Sequence, residues 1–549
     1  RRRRGYRTAV EQAAFLNPTP RTMADPFLLA DLRRAVERLT LARERGELVA
    51  IWGDYDVDGL TSTALLTRAL TGMGLRTRPF IPHRINDGYG LNIAGIDRLI
   101  DEGVGLLVSV DCGISDREPI AHAATRGLDV IVVDHHTIPP QMPDAAAVVN
   151  PRRADCTYPF KDMAAVGVVH SLVRALTASG FPLHGAWDED EADLLELLEL
   201  AALGTVADVA PLHGENRAIV AWGLDALRHS ALPGIRALCA VAGIEPERLN
   251  AWDIGHALGP RLNAAGRIAD AGLALRLLLA ESFDEALPLA QELDALNRER
   301  RRELGRILEE AIALVEESGP PDDATPIVQI AGVGWTAGVV GLVAGRLSER
   351  YGRPAIVLER GELTSKGSAR STAAFNLIEA LAECADLLDH YGGHARAAGL
   401  TVANDKVEEL RARLLRRARE RLTADDLRPS LTLDLELALP DLGYVTVDAL
   451  ARLEPFGHGN PEPLILLRGI GVKWPKTSGD GKHLFFSAQA QWGRPTRAPI
   501  RCVAFGQGLR RAELVGTGVR VDLAGTLRRE WWQGEERLSF HVRDFRPAE

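Results

Sequence analysis

The stretch ELVAIWGDYDVDGLTSTALLTRALTGMG, residues 47–74, decides the reading of the fold. Residues 48–52 are apolar without a break, the mark of a strand buried on both faces. Gly53 follows, then Asp54, Asp56 and Asp58 at alternate positions. From Gly59 to Gly74 the pattern turns helical and closes on glycine. If the strand ran on through the acids, they would share one face about 7 Å apart. Each ionised pair would then cost about 2 kcal/mol at an effective dielectric near ~20. Three arrangements offset that cost. One is a solvated loop. One is a calcium loop, which fails because its twelfth position is Leu65 rather than Glu and a strand precedes it. The third is a catalytic cation site, which needs further ligands from elsewhere in the chain.

The pattern repeats outward from this stretch. VGLLVSVDCG (104–113) and LDVIVVDHH (128–136) are apolar runs that end in Asp111 and in Asp134, His135 and His136. RTRPFIP (76–82) reads as another strand. Residues 27–45, AGIDRLIDEG (94–103) and SDREPIAHAATRG (115–127) read as helices, the last opened by a Ser cap. Alternating helices and doubly buried strands predict a parallel sheet covered on both faces. In such sheets ligands bind beyond the carboxyl ends of the strands, where these acids lie.

From about 160 to 320 the chain reads as mostly helical, ending in a long charged helix over 282–318. A second, smaller α/β unit follows. PIVQIAGVGW (326–335) and RPAIVLE (353–359) are its strands, 338–352 and 375–388 its helices, and GGHARAAGLTVA (392–403) a turn running into a strand. Beyond 430, short alternating strands predict a small β-barrel. From Gly459 onward basic residues outnumber acidic ones, with Trp474, Phe485, Phe486, Trp492, Trp531 and Trp532 among them. Such rings stack bases at about 1–3 kcal/mol each, or pack a core.

The chain has 549 residues, so three or more domains are expected. Its 46% hydrophobic and 26% charged content is that of ordinary globular proteins. No apolar run reaches the ~18–20 residues of a membrane span, and no signal peptide is visible. The opening RRRRGYR lacks Met, from which a trimmed chain is expected. Cys112, Cys156, Cys239, Cys384 and Cys502 form no C-x₂-C pair, which argues against a zinc ribbon or a disulfide framework and fits a reducing cytoplasm. A net charge of −10 excludes a uniformly basic coat but leaves room for a local basic groove.

Asp208, in GTVADVAP (204–211), joins the strand-end acids after a helical run. A single strand-end Asp is commonly only a cap or a turn former. Four clusters at corresponding places of one domain point instead to a shared cation site. Carboxylates with imidazole, and no clustered Cys, favour Mn²⁺ or Mg²⁺.

These segments carry a resemblance. DYDVDG (54–59), VDCG (110–113), VDHH (133–136) and GTVADVAP match, in order, the four motifs of the DHH phosphoesterases. GSARS (367–371) and GGHARAAG (392–399) match the DHH-associated domain. LEPFGHGNPEP (453–463) is similar to the segment before the oligonucleotide-binding fold in that superfamily's single-strand-specific 5′→3′ exonucleases. The resemblance implies an N-terminal extension (1–44), a DHH catalytic domain (45–281), a connecting helix (282–320), a DHH-associated domain (321–428) and an oligonucleotide-binding-fold barrel (429–549).

It also implies roles. One metal would be held by Asp54 and Asp56 with Asp111, a second by Asp58, Asp111, His135 and Asp208, with Asp111 bridging. Most of the superfamily has a His upstream of the position of Asp56; this chain has the exonuclease variant with Asp54. Asp134 would orient His135, and His136 would touch the scissile phosphate. Arg84 and Arg261, in glycine-containing loops, would grip the 5′ end by bidentate contacts. For Arg84 a surface ion pair or helix cap competes with that role, and Arg267 competes with Arg261. Ser368, Arg370 and Ser371, with the glycine turn at Gly393 before His394, would hold the DNA backbone.

The implied activity is release of 5′-mononucleotides from single-stranded DNA in recombination and repair, by a cytoplasmic monomer with two Mn²⁺ or Mg²⁺ ions. A helicase and single-strand-binding protein are the implied partners. Two other readings use the same motifs. One is a phosphodiesterase of short oligonucleotides or cyclic dinucleotides, or a pyrophosphatase; the C-terminal barrel counts against it. The other is a non-catalytic replication scaffold; the intact acidic and histidine motifs count against that.

Overall fold

A computed structural model describes residues 4–83, 88–181, 192–489, 499–516, 518–532 and 534–548. Strands β1 (Leu48–Gly53), β2 (Arg76–Phe80), β3 (Val104–Val110), β4 (Asp129–Val133) and β5 (Ala147–Val149) form a parallel sheet in the order β2-β1-β3-β4-β5. The chain leaves β1 toward β2 and returns on the other side as β3, so the β1/β3 pair is the topological switch point. Alternate residues of β1 enter opposite cores. Val49 and Ile51 pack with the helices Leu32–Arg45, Val57–Gly72 and Ala165–Ala178, while Ala50 and Trp52 pack under Ile93–Asp101 and Arg117–Thr125. β5 is too short to show a period, and sequence reading missed it.

Two helix starts differ from expectation. After a helix at Ala9–Leu16 that the sequence reading lacks, the helix expected over 27–45 begins at Leu32, because Asp31 sits in the left-handed region at φ 58°. Its carboxylate is used elsewhere, accepting from Val148 N–H at 3.2 Å and pairing with Arg153 at 2.7 Å. The Ser cap expected near 115 is absent. The helix starts at Arg117 after Asp116, whose carboxylate turns away to accept the Leu91 N–H at 2.7 Å.

The connecting helix runs Phe283–Glu317, 35 residues and so about 52 Å. Its N-terminal half buries Ala286, Ala290 and Leu293 in the catalytic core; its C-terminal half buries Ile307, Ala311 and Val315 in the next. There β6 (Val328–Gly332), β7 (Ala355–Arg360), β8 (Thr364–Arg370), β9 (Leu388–His394) and β10 (Ala397–Ala403) form a sheet in the order β6-β7-β8-β10-β9. Only β6 and β7 are parallel. The expected glycine turn before His394 is instead part of β9. Gly393 pairs with Ala398, and a Cβ there would lie 2.4 Å from the Ala397 carbonyl oxygen, so glycine permits the close approach.

The C-terminal unit is a barrel. β12 (Ile465–Thr477), β13 (Leu484–Gln489), β14 (Ile500–Ala504), β15 (Arg520–Trp532) and β16 (Glu535–Pro547) close through the β12–β15 pairing, and β11 (Leu435–Glu436) adds to β12. Phe486 is in the barrel core, whereas Trp474 and Trp531 are exposed; Trp492 lies outside the described residues. The segment before the barrel docks on the catalytic domain. Leu212 N–H donates to the His458 carbonyl at 2.7 Å. The buried guanidinium of Arg217 donates to the carbonyls of Phe15, Glu454 and Pro455. Among the described residues, no helix is long and apolar enough to cross a membrane.

Candidate metal centre

β1 stops at Gly53, so the three acids do not share a strand face. Asp54 lies in the turn. Asp56 caps the Val57–Gly72 helix, its Oδ1 accepting from the N–H groups of Asp58 at 2.9 Å and Gly59 at 3.2 Å. Asp58 is inside the first helical turn. Gly59 makes this fold possible, since a Cβ there would lie 2.5 Å from the Asp54 carbonyl oxygen. Asp58 is buried and serves a second helix. Its two oxygens accept the N–H groups of Ala165 at 2.7 Å and Val166 at 2.9 Å. The N-cap of that helix, Ala164, has no side chain able to cap, so Asp58 supplies the acceptor from across the core.

Asp111 follows β3 in the left-handed region, φ 61°, held by its N–H bond to the Val133 carbonyl at 3.1 Å. Its buried Oδ1 has no hydrogen-bond partner and lies 3.2 Å from His135 Nε2. Asp134, after β4, is fully buried. Its Oδ1 accepts from the N–H groups of His135 and His136 and from His136 Nδ1 at 2.7 Å, and its Oδ2 accepts from Ile114 N–H. This corrects the expectation for Asp134: the imidazole it orients is that of His136. His135 is oriented by a carbonyl, its Nδ1 lying 3.0 Å from Met163 O, which leaves Nε2 toward Asp111. Asp208 ends the Ala192–Ala207 helix and is followed by Val209 at φ 60°.

Among the described residues three overlapping groups result: Asp54, Asp56 and Asp111; Asp58, His135 and Asp208; and Asp111, His135 and His136. Within each group the donor atoms lie within 4.8 Å of one another. The electrostatics favour a cation among these groups. Burial, with Asp208 and Asp56, raises the Asp58 carboxyl well above its ordinary value. Burial, with Asp58, Asp56 and Asp54, does the same to Asp111. Burial and Asp56 push Asp208 up to about 7. Burial and the neighbouring His136 lower His135 to about 4, so it is a neutral nitrogen donor at neutral pH. Burial lowers the pKa of His136, but its bond to Asp134 overcomes this and holds it at about 9. Oxygen-rich donors, one neutral imidazole nitrogen and an orphaned buried carboxylate oxygen suit hard divalent cations.

The second α/β unit reaches this centre. The His394 ring stacks on that of His136, with centroids 6.4 Å apart and planes at 10°. Ser368 and Arg370 border Gly341, where a Cβ would lie 3.0 Å from the Ser368 hydroxyl and 3.3 Å from the Arg370 guanidinium. The Ser371 hydroxyl donates to the Phe375 carbonyl at 2.8 Å and so is spent within its own loop. Arg261 is not in a loop. It lies in the Gly259–Ile268 helix, pairs with Asp294 at 3.0 Å and donates to the Ala257 carbonyl. Arg267, in the same helix, donates to the Gly338 carbonyl at 3.1 Å. Arg84 lies outside the described residues.

Two residues escaped the sequence reading. Tyr89 is half-exposed, its hydroxyl 3.4 Å from the Asp111 carbonyl and its ring edge-on to Tyr55 and His136. The sequence signal was the pair of glycines flanking Tyr89, Gly88 and Gly90, which the structure places at positive φ. Exposed Arg152 is within electrostatic reach of His135, Asp208 and His394.

Comparison with known proteins agrees with this geometry. Residues 48–205 match the DHH family N-terminal domain, 324–422 the DHHA1 domain and 433–544 the RecJ OB domain. The chain is 37% identical over 547 residues to the single-stranded-DNA-specific exonuclease RecJ of Bacillus subtilis, covering 99% of this chain and 66% of that protein. It is 40% identical to its counterpart in Dickeya dadantii, covering 83% of this chain and 81% of that one. The crystal structure of Thermus thermophilus RecJ in complex with Mn²⁺ superposes with a TM-score of 0.82 at 33% identity, covering all of this chain and 75% of that one. The Mg²⁺ complex of the same protein superposes at 0.76 and 32% identity, covering 100% of this chain and 74% of that one.

Proposed function

The chain belongs to the RecJ family of DHH phosphoesterases, and from that premise we propose that it degrades single-stranded DNA from the 5′ end, releasing 5′-mononucleotides. The relatives' names support a single-strand-specific exonuclease over the cyclic-dinucleotide and scaffold readings. The observation that carries the proposal is the gathering of Asp54, Asp56, Asp58, Asp111, His135 and Asp208 beneath His136 and His394.

Asp54, Asp56 and Asp111 would hold one cation, and Asp58, Asp111, His135 and Asp208 a second. A pair of divalent cations bound there supplies activated water and neutralises the anionic phosphate. The chain's own residues do the rest. Asp134 accepts from His136 Nδ1 and so fixes the orientation of the ring, which presents Nε2 to the cleft where the scissile phosphate would lie. Met163 O fixes the His135 tautomer. The Tyr89 ring and Arg152 border the cleft, one offering a face to a base and the other a charge to a phosphate. Arg84, Arg370 and Ser368 complete the substrate grip; Gly393 serves by letting β9 carry His394 close to β10. Arg261 acts indirectly, bracing the Gly259–Ile268 helix against Asp294.

The domain boundaries at 45, 282, 321 and 429 belong to the same proposal. So do a monomeric state, a cytoplasmic setting and work in repair beside a helicase and single-strand-binding protein. The five buried free cysteines suit a reducing compartment. The test is digestion of a long single strand carrying a label at its 3′ end, with Mn²⁺. The expected result is a ladder that keeps the label and shortens from the other end, with the matching duplex resistant. Cleavage of dinucleotides alone, or shortening from the labelled end, would reject the proposal.

A further inference from the structure

We propose that Asn297 and Arg300, on the connecting helix between the two α/β units, form a buried anion site that takes a phosphodiester of the bound strand. This rests on the reading that the chain binds single-stranded DNA. The buried face of that helix runs Leu293, Asn297, Arg300, Ile307. Leu293 belongs to the catalytic core and Ile307 to the next core, so the two polar residues fill the seam between them. Asn297 is 1% exposed and Arg300 9%.

Their hydrogen bonding is incomplete. Arg300 donates to Asn297 Oδ1 at 2.9 Å. Arg300 Nε and Asn297 Nδ2 are both buried and have no partner. The other buried arginines have a carboxylate or several carbonyl acceptors, although Arg353 Nε, like Arg300 Nε, is buried without a partner. Arg153 pairs with Asp31 and Asp155, Arg261 with Asp294, and Arg353 with Asp323 and a carbonyl; Arg217 binds three carbonyls. Two carboxylates of the same helix are taken, Asp294 by Arg261 and Arg298 and Glu303 by Arg306 and Thr336, while the adjacent Glu299 is exposed. A buried guanidinium without a counter-ion, beside a second buried unused donor, is costly unless an anion arrives.

The place fits a DNA path. The connecting helix is tied to the Gly259–Ile268 helix through Arg261 and Asp294. That helix lies against the acidic loop, since a Cβ on Gly266 would come within 2.7 Å of the Tyr55 carbonyl oxygen. Its Arg267 donates to the Gly338 carbonyl at 3.1 Å, beside Thr336 and Glu303. Along the connecting helix, Asn297 and Arg300 fall between these two ties.

The test is binding of a fluorescein-labelled oligothymidylate to the full chain in chelator, by anisotropy over a salt series. Arg300→Gln is expected to weaken binding about five- to tenfold and to make the plot of log affinity against log salt shallower by about 0.7. Arg300→Lys should keep the slope, and Asn297→Leu should keep it while weakening affinity about two- to threefold. The thermal midpoint of Arg300→Gln should fall by no more than the loss of the single bond to Asn297 explains, because no internal counter-ion is lost. A lower midpoint with unchanged affinity and slope would assign the pair a purely structural role and overturn the inference. Wild-type protein that binds no single strand would overturn it together with the function it rests on; wild-type binding with an indifferent variant overturns it alone.

Discussion

Replacing Asp111 by Asn should stabilise the cation-free protein while abolishing its response to Mn²⁺. Asp111 shares a cluster with Asp54 and Asp56 in which all donor atoms lie within 4.8 Å. At that separation and an effective dielectric near ~20, each ionised pair costs about 3.5 kcal/mol. The alternative, a carboxyl pKa raised by burial and by the neighbouring Asp58, Asp56 and Asp54, also costs stability wherever the unfolded aspartate is ionised. Asn removes the charge, keeps the shape and tolerates the left-handed φ of 61°. The expected gain is about 3 kcal/mol, which for a unit of this size raises the catalytic-domain midpoint by about 6–12 °C in chelator. Differential scanning calorimetry with and without Mn²⁺ reads both effects. The wild type should gain stability with Mn²⁺ and the variant should not. A variant that melts lower in chelator, or keeps the full Mn²⁺-dependent rise, would refute the reasoning.

Gly59→Ala places a methyl 2.5 Å from the Asp54 carbonyl oxygen; nuclease turnover should fall at least about 100-fold as the acidic loop is displaced, with far-ultraviolet circular dichroism unchanged. Val209→Gly relieves a β-branched residue at φ 60° whose side chain is exposed, so chemical denaturation should show a gain of about 1 kcal/mol. His170 is fully buried, neither ring nitrogen has a partner, and burial with Arg174 nearby lowers it to about 3. Its folded value is below its unfolded one, so the unfolded chain takes up the proton first as pH falls. Stability is full above pH ~6.5 and is lost progressively below it, by about 2 kcal/mol near pH ~5. His170→Leu should flatten that part of a denaturation-against-pH curve.

What the sequence made legible was whatever repeats or ends abruptly. Unbroken apolar runs in β1, β3 and β4 gave the parallel sheet, and each ends in an acid that the structure brings to the switch point. The roles of individual acids were less legible, because they depend on where the chain turns. Asp56 became a helix cap, and Asp58 points inward to a helix more than a hundred residues away. Asp134 holds His136 rather than His135, a choice set by the 2.7 Å reach between neighbouring side chains. Arg261 reads as a loop residue that grips the 5′ end, yet it lies in the first turn of a helix, where the carboxylate packed opposite, Asp294, claims it. Asn297 and Arg300 were invisible within a charged helix, since only the packing of two cores shows which of its many charges is buried.

The most direct measurement is the anomalous difference map of a crystal of this protein soaked in Mn²⁺. Two peaks about 3.5–4 Å apart are expected, one against Asp54, Asp56 and Asp111, the other against Asp58, Asp111, His135 and Asp208. A single peak away from Asp111, or ions bound without these side chains, would contradict the account.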